Sequence, residues 1–156
     1  MQVSAEIKIA MSTLTNGVYI LGVHTPEKDN LMTAAWLSQV SGMPPTLAVA
    51  VNSNHLTAQM IPQAKGFAVS VLSTEQKQLA LCNGRVSGRE RDKLVDTVTV
   101  SSPAGHPLVA QAVAHLECKL TETLTVSDHT LFIGQVIWSE ASEGQPLLYR
   151  EKEFFG

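Results

Sequence analysis

Two apolar runs near the start of the chain constrain the fold most. The first covers residues 30–41 and is closed by Pro44 and Pro45, and the second follows at once at residues 47–52. Runs of this length, separated by turn residues, are typical of neighbouring strands. Small side chains occupy residues 33–35, where a core strand usually carries bulky ones. Such a strand can let a flat ligand lie against its backbone, or it can simply make room for a packed neighbour.

The remaining patterns predict a mainly β fold with a few short helices. Further strands are predicted at residues 17–23, 66–72, 98–100, 113–120, 130–138 and 146–150, and short helices at residues 6–15, 55–61 and 75–82. A polar loop is predicted between residues 83 and 96. Because many of these strands form antiparallel hairpins, we expect an antiparallel barrel rather than a doubly wound parallel sheet. The sequence contains no glycine-rich motif of the Rossmann or P-loop type.

Composition limits the kinds of binding partner and the cellular compartment that we expect for this chain. The 156 residues, 44% hydrophobic and 16% charged, suffice for one domain with a real core over residues 1–156. A net charge of -3 without a basic cluster argues against nucleic acid or an anionic membrane surface as a partner. No apolar run is long enough to span a membrane, and the N-terminus lacks a signal-peptide pattern. Cys82 and Cys118 lie far apart without metal-binding spacing, so we expect reduced thiols, a cytoplasmic location and no metal site.

A polar turn follows the second apolar run. Residues 52–57, which include Asn52 and Thr57, lie where a strand is predicted to lead into a helix. Free backbone N–H groups at a helix N-terminus, with hydroxyls nearby, can bind an anion. Asn and Ser also cap helices at this position without any ligand, so the pattern leaves both interpretations open.

A basic segment lies within the predicted loop. It places Ser87 and Gly88 beside Arg89, and Lys93 follows four residues further on. If the segment is helical, Arg89 and Lys93 share one face. A hydroxyl, an unhindered backbone and two cations together suit a monophosphate group. The alternative is a charged loop that is exposed to solvent.

His129 follows Asp128 at the predicted turn between two hairpin strands. A histidine there can contact a ligand or form a hydrogen bond with it, although turn polarity alone explains Asp128. The other histidines show no metal-ligand spacing, and no HExxH motif, nucleophile elbow or recognisable Ser/His/Asp constellation is present. His129 is therefore the one candidate for a catalytic residue.

The order and spacing of these clusters resemble the flavin reductase-like family over about residues 6–151. The resemblance begins at residues 14–20 and 32–41 and continues through residues 52–57 and 67–72. Ser87-Gly88-Arg89 with Asp92-Lys93 is similar to the family's SGR…DK segment. Residues 116–118, 128–134 and 146–149 resemble the family's C-terminal pattern.

The resemblance implies an antiparallel FMN-binding split barrel that works as a homodimer, with the flavin near the subunit interface. Carried over by position, the residues that line the flavin ring are Thr33, Ala34, Ala35 and Trp36. Asn52 and Thr57 are implied at the ribityl chain or phosphate, and Ser87, Gly88, Arg89 and Lys93 at the phosphate. His129 is implied near the flavin ring or the path of the nicotinamide. Trp36 and the Gly42-Met43 pair depart from the common family pattern, so the resemblance does not imply a particular substrate.

The activity that the resemblance implies is that of an FMN-dependent oxidoreductase. NADH or NADPH delivers hydride to the flavin, and electrons pass on to free flavin, ferric iron, a monooxygenase or another redox protein. This chemistry belongs to the cofactor and requires no protein acid or base. Two alternatives stay open: an FMN-containing electron-transfer module that another protein reduces, and a dimeric barrel that is not an enzyme. Flavin-dependent consumption of NAD(P)H and an FMN titration separate the three.

Overall fold

The computed structural model describes residues 1–151 of the chain. Its strands are β1 (Asn16–Gly17), β2 (Tyr19–His24), β3 (Asp29–Ala34), β4 (Leu37–Gly42), β5 (Pro45–Asn52), β6 (Gly66–Val71), β7 (Thr99–Ser101), β8 (Pro107–Val109), β9 (Ala114–Val126), β10 (His129–Ala141) and β11 (Leu148–Tyr149). Its α-helices are α1 (Ala5–Met11), α2 (Leu56–Ala64) and α3 (Lys77–Gly84), and a 3₁₀ turn at Thr74–Gln76 precedes α3. None of the helices among these residues is both long and apolar enough to cross a membrane.

One antiparallel sheet of seven strands dominates the fold, in the order β3-β2-β6-β9-β10-β5-β4. Strands β3 and β4 lie at opposite edges of the sheet, yet only two residues connect them. The three Cα–Cα steps from Ala34 to Leu37 span at most about 11 Å, whereas the edges of a flat seven-stranded sheet lie about 29 Å apart. The sheet must therefore curl until its edges approach each other. This confirms the predicted mainly β fold with an antiparallel split barrel and a few short helices.

The prediction of a single strand over residues 30–41 is wrong. Strand β3 pairs with β2, whereas β4 pairs with β5, so the chain changes edges at Ala35 and Trp36. The pattern hides this break because both residues are compatible with a strand. The predicted pairing of the two apolar runs is confirmed for β4 and β5, where Leu37 lies opposite Val49.

Other boundaries also differ from the sequence prediction. An interior proline disfavours a helix, yet helix α2 continues through Pro62 to Ala64, because Met60 and Ile61 are buried in the core and hold it there. The helix ends at Lys65, whose φ of 57° is left-handed. Strand β8 is missed by the sequence patterns because it has three residues and begins at a proline. Strands β9 and β10 extend beyond their predicted ends, where the side chains are mostly exposed.

Two clusters of buried side chains hold the sheet and the helices together. The larger contains Phe67 of β6 and Phe132 of β10, both fully buried, and extends to Ile61 of α2. Truncating either phenylalanine to alanine costs about 3–5 kcal/mol in proteins generally. The smaller cluster joins Leu31 of β3 to Ala80 of α3. This contact holds α3 against β3, and the cavities described next lie along that junction.

Candidate functional site

A cavity of about 380 Å³ lies where β3, α3 and the link between β3 and β4 meet. We call it the wide cavity. Five of the residues predicted to contact a flavin line it, together with the candidate catalytic histidine: Thr33, Ala34, Ala35, Trp36, Asn52 and His129. The small side chains of the β3 run therefore leave open space beside the strand. This supports the ligand-binding interpretation of the run over the interpretation as simple packing.

A second cavity, of about 150 Å³, adjoins the first, and we call it the narrow cavity. Both are lined by Thr33, His55 and Arg85, so they form one elongated cleft. Four further predicted residues line the narrow cavity: Thr57, Ser87, Gly88 and Lys93. Predicted residues from four distant stretches of the sequence thus meet in one cleft that is wide at one end and narrow at the other.

Thr33 connects the floor of the cleft to helix α3. Its hydroxyl donates a hydrogen bond of 2.6 Å to the carbonyl of Ala80, which is almost completely buried. The carbonyl of Trp36 accepts a hydrogen bond of 2.9 Å from the amide of Ala50, which fixes the link to β5. The backbone of the small-residue segment is therefore held at both ends while its side chains leave the cavity open.

The loop around Ser87 is tied to two other parts of the fold. The ammonium of Lys28 donates to the carbonyl of Gly88, and Arg89 Nη1 donates a hydrogen bond of 2.7 Å to the carbonyl of Asn54. A Cβ atom added at Gly88 would lie 2.1 Å from Asn30 Oδ1, so only glycine allows this close approach. The loop is thereby held over the narrow cavity.

Arg89 differs in position from the other predicted phosphate ligands. It is exposed, its guanidinium is directed to Asn54, and within residues 1–151 it lines neither of the two cavities. Its amide donates a hydrogen bond of 3.1 Å to Ser87 Oγ. In this structure Arg89 thus connects the loop to the turn before α2.

Lys93 places a buried positive charge in the wall of the narrow cavity. Its side chain is almost completely buried, and its ammonium donates a hydrogen bond of 2.9 Å to the carbonyl of Asn83. Burial, followed by the positive charge of Arg91, lowers the pKa of Lys93 to about 8. A carbonyl does not neutralise an ammonium, so an anion in the narrow cavity would complete this site.

Asn83 carries a buried acceptor without a partner. Its side-chain amide donates a hydrogen bond of 3.0 Å to the carbonyl of Leu79, but its Oδ1 has no hydrogen-bond partner among the described residues. An unsatisfied buried group of this kind costs about 1–3 kcal/mol. Because Asn83 lines the narrow cavity, a ligand hydroxyl could satisfy it. The orphaned acceptor and the buried cation together fit a ligand that carries both hydroxyl groups and an anionic group.

Sequence reasoning assigned no ligand contact to two basic residues that line both cavities, His55 and Arg85. The pKa of His55 is lowered, mainly by burial and then by the positive charges of Lys93, His129 and Arg89. His55 belongs to the polar turn at residues 52–57, and Arg85 lies two residues before Ser87. Their closeness to those motifs was the available signal, but no motif required either residue.

His129 begins β10 and faces the wide cavity beside Trp36. The two ring centroids are 4.7 Å apart, with the ring planes tilted by 34°. His129 Nδ1 lies 2.7 Å from Asp128 Oδ1, and this hydrogen bond is the main cause of the lowered pKa of Asp128. Since a carboxylate can only accept, Nδ1 donates this hydrogen bond, which fixes the orientation of the ring.

Residues 1–151 contain no cluster of side chains suited to bind a metal ion. Within that range, no group of three or more His, Cys, Asp or Glu side chains could hold a metal ion. Both cysteines are free: Cys82 is exposed and Cys118 is buried. Burial, with a smaller contribution from the negative charge of Glu117, raises the pKa of Cys118 to about 12.

Comparisons of the sequence and of the structure with known proteins agree with one another. The family model described as a flavin reductase like domain matches residues 11–156. The NADH-dependent FMN reductase AsuE2 of Streptomyces nodosus subsp. asukaensis is 32% identical over 149 residues, covering 92% of this chain and 80% of that protein. The solved NADH:FAD oxidoreductase SgcE6 of Streptomyces globisporus superposes with a TM-score of 0.87 at 27% identity, covering 96% of this chain and 93% of that one.

A third relative is considerably longer than this chain. The high molecular weight rubredoxin of Moorella thermoacetica is 35% identical over 144 residues, which cover 90% of this chain but only 62% of that protein. The family model nevertheless spans far more than half of the present sequence. The chain therefore belongs to the flavin reductase-like domain family.

Proposed function

We propose that this protein is an FMN-binding oxidoreductase that uses NADH or NADPH to reduce flavin and passes the electrons onward. The observation that carries the proposal is the shape and charge of the cleft. Its wide end is lined by small and aromatic side chains, and its narrow end contains a buried ammonium. FMN has the same asymmetry, because a flat ring system is joined through a hydroxylated chain to a phosphate.

The wide cavity is assigned to the isoalloxazine ring. Planar ligands favour sites with apolar walls and a few polar groups at the edge. Ala34 and Ala35 supply the bed, Trp36 and His129 supply aromatic surface, and Asn52 supplies a polar side chain. Ala80 and Gly84 line the side formed by α3, where their small size leaves room for a ring.

The narrow cavity is assigned to the ribityl chain and the phosphate. Lys93 and Ser87 supply a cation and a hydroxyl, and Gly88 lets the loop backbone come close. Thr57 and Asn83 are proposed to face the hydroxylated chain, because both line the narrow cavity. Arg89 is proposed to support phosphate binding by holding the loop through Asn54 rather than by touching the ligand.

FMN, when bound, supplies the hydride and electron chemistry, and the residues of this chain bind and orient it. His129 is proposed to lie on the path of the nicotinamide, because it stands in the wall of the wide cavity and its ring is held there by the hydrogen bond to Asp128. No side chain is assigned a proton transfer. Assays must determine whether the protein uses NADH or NADPH. They must also identify the final electron acceptor, which is free flavin, ferric iron, a monooxygenase or another redox protein.

A homodimer is proposed with its interface near the cleft. Trp36, Val40 and Met43 are exposed apolar side chains on or beside edge strand β4, and Leu124 and Val126 are exposed on β9. Exposed apolar groups next to a sheet edge favour association. Sedimentation equilibrium should give twice the mass of the chain.

We also propose that residues 1–156 act as one domain and that the protein lies in the cytoplasm. The two free thiols support the cytoplasmic location.

Steady-state oxidation of NADH and NADPH in the presence and absence of FMN tests the proposed activity. We expect oxidation of at least one nicotinamide that depends on added or bound FMN. A protein that binds FMN but oxidises neither nicotinamide would instead support the electron-transfer module, which the similarity to a protein named as a rubredoxin favours. A protein that takes up no FMN would contradict both.

A further inference from the structure

His55 lies at the junction of the wide and the narrow cavity. We call this junction the waist of the cleft, and the residues that line both cavities there are Met32, Thr33, His55, Gly84 and Arg85. His55 comes from the turn before α2, whereas Gly84 and Arg85 come from the end of α3. Of these side chains, only that of His55 ordinarily changes its charge between pH 5 and 8. A ligand that extends through both cavities therefore passes beside a titratable group.

The imidazole of His55 is available to such a ligand. His55 is the N-cap residue of α2, but its side chain forms no capping hydrogen bond. Within residues 1–151 only its backbone amide and carbonyl are hydrogen-bonded, and its ring is not. Both ring nitrogens are therefore open to a ligand, and in the neutral form one of them is a donor.

Positive charge predominates around this ring. The charged or titratable groups in and beside the same walls are Lys93, Arg89, Arg85, His129 and Asp128, which is bonded to His129. Burial lowers the pKa of His55, and the charges of Lys93, His129 and Arg89 lower it further. His55 is thus neutral at pH 7 in the ligand-free protein. A negative charge brought to the waist would favour the protonated form instead.

FMN bound as assigned brings one particular edge of its ring to the waist. The hydroxylated chain is attached at N10, and N1 is bonded to the same ring carbon as N10. With the ring in the wide cavity and the chain in the narrow one, N1 and the adjacent C2 carbonyl lie near the waist. Hydride transfer from NADH yields NAD⁺ and a reduced ring with one negative charge, which N1 and the C2 carbonyl share. That charge therefore forms close to His55.

We propose that His55 donates a hydrogen bond to the N1 and C2 carbonyl edge of the flavin and takes up one proton from solvent when the flavin is reduced. This inference rests on the proposed function, which supplies the flavin and the reductant. NADH gives two electrons and one proton to the ring as hydride, and water gives the second proton, which stays on the imidazole. The His55 cation then faces the anionic ring and favours the reduced form of the bound flavin.

Proton NMR of the FMN-loaded protein tests the proton uptake. The chain has five histidines, and the His55 resonance is the one that is lost in His55→Gln. Titrations with pH before and after anaerobic reduction by dithionite give the pKa of His55 in each state. We expect the pKa to be higher after reduction, with a proton affinity at least about tenfold greater. An unchanged or lowered pKa would overturn the proposal.

The midpoint potential of the bound FMN provides a second measurement. His55→Gln keeps a hydrogen-bond donor but cannot take up the proton. We expect its affinity for reduced FMN to fall at least about 10-fold relative to its affinity for oxidised FMN, which lowers the two-electron potential by at least about 30 mV. His24→Gln is the matched control, because His24 is exposed and lines neither cavity, and it should keep the wild-type potential. A wild-type potential in His55→Gln would refute the role of His55.

These measurements separate the inference from the proposed function. Dithionite replaces the nicotinamide, so both measurements can be made even if the protein oxidises neither NADH nor NADPH. Failure to oxidise either nicotinamide would contradict the proposed function. FMN-dependent oxidation without any response at His55 would contradict only the inference, and a protein that takes up no FMN would contradict both.

Discussion

Replacing Lys93 by methionine should separate phosphate binding from protein stability. The substitution keeps an unbranched apolar chain but removes the ammonium from the wall of the narrow cavity. A charge-assisted contact with phosphate contributes about 1.5–3 kcal/mol, which corresponds to a loss of about 10- to 150-fold in affinity for FMN. Riboflavin has the same ring and ribityl chain without the phosphate, so its affinity should change by less than about threefold.

The free energy of unfolding of the ligand-free Lys93→Met protein should not fall along with its affinity for FMN. The pKa of Lys93, about 8, is well below the usual 10.5 of a lysine. Carrying the charge of Lys93 in the folded state therefore costs about 3 kcal/mol at pH 7. Methionine removes that cost but leaves the Asn83 carbonyl without its donor, which costs about 1–3 kcal/mol. The net change in the free energy of unfolding is therefore expected between about zero and a gain of about 2 kcal/mol.

Titration of both ligands by flavin fluorescence, together with urea unfolding of the ligand-free protein, measures these quantities. Lys119→Met is a matched control, because Lys119 is exposed and lines neither of the two cavities of the cleft. Equal losses of FMN and riboflavin affinity in Lys93→Met would show that the ammonium does not contact the phosphate. Destabilisation by more than about 2 kcal/mol would show that Lys93 is mainly a structural residue.

Three further predictions concern pH and packing. The affinity for FMN should fall as the pH rises above about 8, because Lys93 loses its proton. This fall should be absent in Lys93→Met, and titrations with FMN at several pH values measure it in both proteins. Gly88→Ala should weaken FMN binding at least about 10-fold, because the new Cβ would lie 2.1 Å from Asn30 Oδ1 and force the loop away from the cavity. Gly42→Ala is its control, since nothing lies within 4 Å of a Cβ there, and similar effects in both variants would contradict the reasoning. Burial lowers the pKa of His106 below 6.5, so the folded state binds fewer protons than the unfolded state, and stability should fall as the pH drops from about 6.5 towards 5. Urea unfolding should show a smaller fall in His106→Gln, and an equal fall in both proteins would assign the effect to other groups.

The sequence was informative where chemistry is carried by short local motifs. Ser87, Gly88 and Lys93 were recognised from one loop, and the structure brings all three to the narrow cavity. The small residues of β3 were likewise recognised from a local pattern. In both cases the signal was the type of residue at a fixed spacing, which does not depend on the path of the rest of the chain.

The parts that could not be predicted depend on tertiary placement. No local pattern showed that Ala35 and Trp36 carry the chain between the two edges of the sheet, because an apolar strand pattern continues on both sides of them. The partner of Arg89 is a carbonyl 35 residues away in sequence, which spacing alone does not reveal. Asn83 is unremarkable in sequence and becomes informative only because its Oδ1 is buried without a partner.

A crystal structure of the protein grown with FMN tests the central claim most directly. The account predicts the isoalloxazine ring in the wide cavity, beside Ala34 and near Trp36, with the phosphate within hydrogen-bond distance of the Lys93 ammonium. A flavin bound with its phosphate away from Lys93, or a wide cavity filled by the protein's own side chains, would contradict it.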